Sequence, residues 1–139
     1  MSDYKTEPYH KIVPKPWGHE ILYTKGDLPY AGKVMFLKGG TRWSLHYHEG
    51  KRETLMLLSG IAQIWLEDSQ GEIQKIPMEL QQGYNISLNQ KHRIVTIEDC
   101  VIVEASEPEA GTTVRLEDDY KRSDETEELR KLDNRGWTS

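Results

Sequence analysis

Three histidines and one glutamate are the residues whose spacing invites chemistry. The stretch HYHEGKRETLMLLSG, His46 to Gly60, sets two of the chain's five histidines one residue apart, with Glu53 shortly beyond. In a strand, residues i and i+2 point to one face, so an extended segment presents the imidazoles of His46 and His48 side by side. A helix would make them diverge. The intervening EGK must turn before the next strand begins, which brings Glu53 back to the same point. A third imidazole, His92, opens the segment HRIVTIE after an NQK loop. Three neutral imidazoles and a carboxylate suit a divalent transition metal (Zn, Fe, Ni or Mn), with one or two positions left open. Each ring then needs its second nitrogen held by an outer partner, which the sequence does not name.

The elements that must position these groups read as strands. From Lys33 to Ala105 the chain alternates short apolar runs with turn residues, the pattern of a sandwich or barrel. KVMFLKGG reads as a strand ending at Gly39-Gly40, and TRWSLHYH continues extended. ETLMLLSGIAQIWLED reads as a hairpin turning at Ser59-Gly60, with Ala62, Ile64 and Leu66 alternating against Gln63, Trp65 and Glu67. Pro77 in EIQKIPMEL argues for an edge or a break, and GYNISL, HRIVTIE and CVIVEAS complete the set. No segment of this body has the length and 3.6-residue period of a good helix. The expected class is mainly β, a closed or nearly closed barrel. Residues 1–32, rich in proline and aromatics, read as an extended N-terminal arm packing on a barrel core of residues 33–106. Residues 107–139 form an acidic C-terminal extension. Within it SDETEELRKL suggests a short helix capped by Ser123, or else a solvated tail.

Composition narrows the function classes. A chain of 139 residues suits one domain. The net charge is −5, and the segment 107–139 alone holds ten of the 23 acids against six of the 18 bases. No basic footprint of a nucleic-acid binder is present. No apolar run approaches the roughly 20 residues that span a bilayer, and MSDYKTEPYHK lacks the apolar region of a secretory signal. A cytoplasmic protein is expected. The single Cys100, in CVIVEA, reads as a small core residue.

The frame around the histidines carries a resemblance. Gly40, five residues, His46, one residue, His48, four residues, Glu53, six residues and Gly60 match the first motif of the cupin superfamily at every defined position. KPWGHEILY, AGKVMFLKGGTRWSLHYHEGKRETLMLLSG, KHRIV and TTVRLEDDY together resemble the stand-alone cupins similar to the C-terminal, isomerase half of type II mannose-6-phosphate isomerases. The resemblance spans roughly residues 15–120. It implies a single-domain jelly-roll barrel with metal ligation by His46, His48, Glu53 and His92. Two departures stand out. His46 replaces the Gln usual in those isomerases, and Ile86-Ser87-Leu88-Asn89 replaces an Ile-Pro-x-Gly turn, where Asn can adopt the left-handed conformation that Gly supplies. Both bear on the substrate rather than on the metal.

The expected function is that of a metal-dependent enzyme acting on a sugar, sugar phosphate or similar polar small molecule, with isomerase-like chemistry. The metal polarises a carbonyl or hydroxyl, and Glu53, if it is not a ligand, moves the proton. Lys38, Arg42 and Arg115 are candidates for an anionic substrate group, and equally for pairing with the many acids. Arg93, by strand parity, faces away from His92 and reads as a structural or surface residue, and Tyr47 points away from the metal face. Trp17, Trp43, Trp65 and Tyr84 read as core or interface residues. A non-haem iron dioxygenase and a non-catalytic barrel binding a small ligand are the alternatives. A homodimer pairing through edge strands or the arm is expected.

Overall fold

A computed structural model describes residues 4–136. Eleven strands form two antiparallel sheets: β1 (Lys11–Lys15), β2 (Gly18–Leu22), β3 (Ala31–Leu37), β4 (Leu45–His48), β5 (Glu53–Ser59), β6 (Ala62–Glu67), β7 (Ile73–Pro77), β8 (Gly83–Ile86), β9 (His92–Thr96), β10 (Cys100–Ser106) and β11 (Thr113–Glu117). One sheet has six strands in the order β1-β2-β3-β10-β5-β8, the other five in the order β11-β4-β9-β6-β7. Among the described residues no helix is long and apolar enough to cross a membrane.

The sheets enclose the core because inward positions alternate along each strand. Leu55 and Leu57 of β5, Cys100 and Ile102 of β10, Met35 and Leu37 of β3, Ala62 and Ile64 of β6, and Ile94 of β9 are all buried in one cluster. The same inward rows then change character. Continuing in phase, β5 reaches Glu53, β10 reaches Glu104, β3 reaches Lys33 and β2 contributes Glu20, all four buried. One end of the barrel interior is apolar and the other is charged.

The arm expected over residues 1–32 contains real sheet. β1 and β2 pair from Lys11↔Leu22 to Lys15↔Gly18, and β2 pairs with β3, so this hairpin extends the six-stranded sheet. Pro77 ends β7, an edge strand, as its missing N–H requires. The hairpin expected at Ser59-Gly60 is not one. β5 pairs with β10 and β8, whereas β6 pairs with β9 and β7, so the turn carries the chain from one sheet to the other. Two apolar-alternating strands around a glycine read alike whether or not the turn changes sheet. Gly60 is required there: its φ is +95°, and a Cβ would lie 2.2 Å from the Asp99 carbonyl oxygen.

The C-terminal helix is shorter than expected and capped elsewhere. α1 covers only Glu127–Arg130, with Thr126 as N-cap accepting from the Leu129 N–H at 3.2 Å. Ser123 does not cap it, because the chain is still extended at Glu125, whose backbone exchanges two 2.9 Å hydrogen bonds with Thr113 of β11. A 3-10 turn over Asp133–Gly136 follows, with Asn134 and Arg135 at positive φ.

Candidate metal centre and its cavity

Strand register assembles the three imidazoles. β4 lies between β9 and β11, and His46 stands directly opposite His92 on one side while His48 stands opposite Thr113 on the other. One nitrogen from each of His46, His48 and His92 falls within 4.8 Å of the others. The EGKR turn, residues 49–52, crosses to the facing sheet, so Glu53 at the start of β5 meets the group from the opposite wall. Its Oε1 lies 3.0 Å from His92 Nε2 and 3.6 Å from His48 Nε2. Asn89 holds the left-handed conformation anticipated for it, at φ +62°, and donates its N–H to the His48 carbonyl at 2.9 Å. The loop before β9 is thus tied to the strand that carries the first two histidines.

Each ring is oriented through its other nitrogen. Nδ1 of His46 lies 2.8 Å from the Ser44 carbonyl, and Nδ1 of His92 lies 2.9 Å from the Gln90 carbonyl. A carbonyl only accepts, so both rings carry hydrogen on Nδ1, and a neutral ring then keeps its lone pair on Nε2. His48 Nδ1 faces the Thr113 hydroxyl at 2.9 Å. Burial, and then the neighbouring histidines, hold His46 well below the usual imidazole range. Burial, and then Lys51, bring His48 down to about 4. These two rings are therefore neutral at pH 7, the state in which imidazole binds a metal.

Glu53 is ionised despite its burial. Burial alone would raise its carboxyl, but the Lys51 ammonium, with Nζ 2.9 Å from Oε2, holds it well below the ordinary range. Lys51 also pairs with Glu104 at 3.2 Å, and these two carboxylates keep its ammonium charged against burial. Glu104, pushed up by burial and by the Glu53 charge, accepts from Ser106 as well. Lys51 thus engages Oε2 and leaves Oε1 turned to the histidines. Neither Glu53 Oε1 nor His92 Nε2 has a hydrogen-bond partner, although both are buried. With its Nδ1–H on the Gln90 carbonyl, a neutral His92 would turn the Nε2 lone pair toward Oε1, and two such atoms 3.0 Å apart fit a cation that accepts electron pairs from both. The donor set of nitrogen and carboxylate oxygen suits Zn, Fe, Ni or Mn.

The imidazoles of His46 and His48 open onto a cavity of about 70 Å³, whose walls also include Glu53, Trp17, Trp43 and Met35. Arg115 lines it and binds the Ser123 carbonyl and Glu125. Lys38 and Arg42 do not line it: Lys38 is exposed, and Arg42 makes a bidentate 2.8 Å pair with Asp119 at the surface. Arg93 is fully buried, with Nε donating to the Trp43 carbonyl at 3.0 Å, a structural role on the face away from His92.

Other cavity groups are Lys15, Glu20, Lys33, Glu109 and Arg135. Lys33 bridges Glu20 and Glu109, while Arg135 meets Glu109, Glu125 and Glu20. The segment read from sequence as a possible solvated tail therefore closes one wall by charge. A signal for the strand residues was available: Lys15, Lys33, Glu53 and Glu104 each fall in phase with an inward apolar row. No such periodicity marks Arg135.

No protein-family model and no curated protein sequence matches the chain. Solved structures do. The oxalate decarboxylase of Lactobacillus farciminis, in a formate complex, superposes with a TM-score of 0.70 at 21% identity, over 84% of this chain and 38% of that one. A Bacillus subtilis oxalate decarboxylase with Mn(II) centres gives 0.67 at 19%, over 82% and 34%. CapF of Staphylococcus aureus, a capsular polysaccharide assembling protein, gives 0.63 at 17%, over 84% and 33%. The chain spans about a third of the length of these structures. Its two-sheet barrel is a cupin fold, and it carries a three-histidine group able to hold a divalent metal.

Proposed function

We propose that the protein is a metal-dependent cupin enzyme acting on a sugar, sugar phosphate or similar polar small molecule, with isomerase-like chemistry. The observation that supports this most directly is the orphaned pair of Glu53 Oε1 and His92 Nε2, which stands among neutral imidazoles beside an open cavity. His46, His48, His92 and Glu53 are the residues that would hold the metal. A bound divalent ion would supply Lewis acidity, polarising a substrate carbonyl or hydroxyl oxygen.

The protein's own groups do the rest. The Ser44 and Gln90 carbonyls and the Thr113 hydroxyl fix the rings, and Lys51 keeps Glu53 charged and in place. Trp17, Trp43 and Met35 give the cavity an apolar wall that limits water around the reacting atoms. If Glu53 is a ligand, the proton is moved by another cavity group. The reaction is proposed to run in a homodimer, with the β1 edge strand as the pairing element, and in the cytoplasm.

The test is elemental mass spectrometry on untagged protein beside a His46→Ala/His48→Ala variant, followed by a screen of aldoses, ketoses and their phosphates. Expected are one metal per chain, lost in the variant, and turnover that depends on it. Stoichiometric metal with no turnover of any sugar or sugar phosphate would refute the isomerase reading and leave a small-ligand-binding barrel. Oxygen uptake by an iron-loaded protein would move it to dioxygenase chemistry.

A further inference from the structure

Most charged groups around the cavity are spent on one another. Lys33 is engaged by Glu20 and Glu109, Lys51 by Glu53 and Glu104, and Arg122 by Asp118. Lys15 is different. It ends β1 on the same face as buried Val13, lines the cavity that His46, His48 and Glu53 also line, and is only 11% exposed along its side chain. Its ammonium makes no hydrogen bond among the described residues. The one paired carboxylate, Glu20 Oε1, is 4.0 Å away, beyond hydrogen-bond reach.

Three more groups of the cavity wall are unspent: the indole N–H of Trp43 and the Nε–H groups of Arg115 and Arg135, each buried without an acceptor. All four are donors. Among the fully buried atoms left without a hydrogen bond, the acceptors of this cavity are the Glu53 oxygens, and these face the imidazoles and the Lys51 ammonium. A neutral polyol brings a hydroxyl hydrogen with every oxygen and leaves the Lys15 charge without a counter-charge in hydrogen-bond reach. A carboxylate or a phosphate dianion brings acceptors without donors.

Charge points the same way. Six cationic side chains line the cavity against five carboxylates, and Asp118, paired with Arg122, brings the two signs level, so that a divalent metal would supply a positive excess. The available space, about 70 Å³, admits a compact group with a few waters.

We infer that Lys15 is a specificity-determining residue, and that the cavity takes a substrate bearing a carboxylate or phosphate whose oxygens accept from its ammonium. This rests on the proposed function only in placing the rest of the substrate toward the imidazoles. Burial brings the Lys15 ammonium down to about 8, with Glu20 offsetting part of the effect and Arg135 and Lys33 adding to it. An anion in reach of Nζ would restore the charge that burial disfavours.

The experiment is calorimetric titration of the full chain, with and without Mn²⁺, using inorganic phosphate, malonate and neutral mannose as probes. Expected is one anion per chain, with phosphate or malonate bound at least about tenfold more tightly than mannose. Binding should weaken at least about tenfold in Lys15→Met and stay within about threefold in Lys15→Arg. Phosphate above malonate identifies a phosphorylated substrate, and the reverse a carboxylic acid. Equal affinity in Lys15→Met, or no preference of the unmodified protein for either anion over mannose, overturns the inference. The second comparison does not depend on a variant that folds. Lys15-dependent anion binding in a protein that takes up no metal would sustain the inference while the metal-enzyme reading fell. Metal binding without anion preference would do the opposite.

Discussion

Replacing Lys51 by methionine tests the electrostatics of the candidate centre most directly. Lys51, Glu53 and Glu104 are all buried, and the ammonium is 2.9 Å from one carboxylate and 3.2 Å from the other. Methionine keeps most of the volume and removes the Lys51 ammonium, the cation paired with Glu53 among the described residues, leaving two buried carboxylates side by side. Removing one member of a buried pair costs about 3–5 kcal/mol, which for a domain of this size lowers Tm by about 10–15 °C. One carboxylate escapes by taking a proton. Glu104 is that one, because burial and the Glu53 charge already push it up.

In the variant the folded state then binds a proton that the unfolded chain releases above the ordinary glutamate range. Its stability therefore falls as pH rises from about 4.5. In the parent protein the raised Lys51 contributes stability that is fully present below pH 10.5 and lost only above it. The difference between the two proteins should be small near pH 5 and reach about 3–5 kcal/mol at pH 8 in urea denaturation of the metal-free proteins. Added metal should recover more stability in the variant than in the parent, since it no longer shares Glu53 with an ammonium. A difference under about 1 kcal/mol at pH 8, or one that does not change with pH, would refute the reasoning.

Three further outcomes are expected. In the metal-free protein His46 and His48 lie below their unfolded value, so the unfolded chain binds more protons and stability falls as pH drops from 6.5 toward 5. The slope approaches about 1.4 kcal/mol per pH unit for each histidine, and denaturation midpoints that do not fall between pH 7 and 5 would contradict it. Thr113→Val removes the partner of His48 Nδ1 and should weaken metal binding about 10–100-fold in competition titrations with a chelating dye, with the barrel intact by circular dichroism. An unchanged affinity would exclude the hydroxyl as an orienting group. Sedimentation at micromolar concentration should find a homodimer, and Ile12→Lys, which puts a charge on the exposed apolar side chain of the β1 edge strand, should shift it to monomer. A monomeric parent protein would sink that proposal.

The barrel was legible in the sequence because period-two burial fixes strand after strand without knowledge of their partners. Leu55 and Leu57, or Ala62 and Ile64, declare an inward row by themselves. The sheet to which a strand belongs is not written in that pattern, which is why the Ser59-Gly60 turn read as a hairpin. The histidine frame was legible for a similar reason: His46 and His48 need only an extended chain to share a face. Lys51 escaped because it lies in a turn, where parity has no meaning. Arg135 escaped because its place depends on ion pairs with Glu20, Glu109 and Glu125, each far from it in space only if the chain is unfolded. The Ser123 cap failed because a backbone bridge from Glu125 to Thr113, twelve residues upstream, prevailed over the local capping preference.

The centre draws on segments far apart along the chain, and this sets the order in which it can come into being. His46 and His48 leave the ribosome as a ready pair, but His92 is 44 residues behind His48, and the Thr113 hydroxyl that orients His48 is 65 residues away. The entropy of closing loops of that length must be met by pairing of β4 with β9 and β11, and by apposition of the two sheets, before the site exists. A metal arriving early meets two imidazoles and no carboxylate wall. Any metal loading at this site would therefore come late in the life of the chain, after the two sheets have closed.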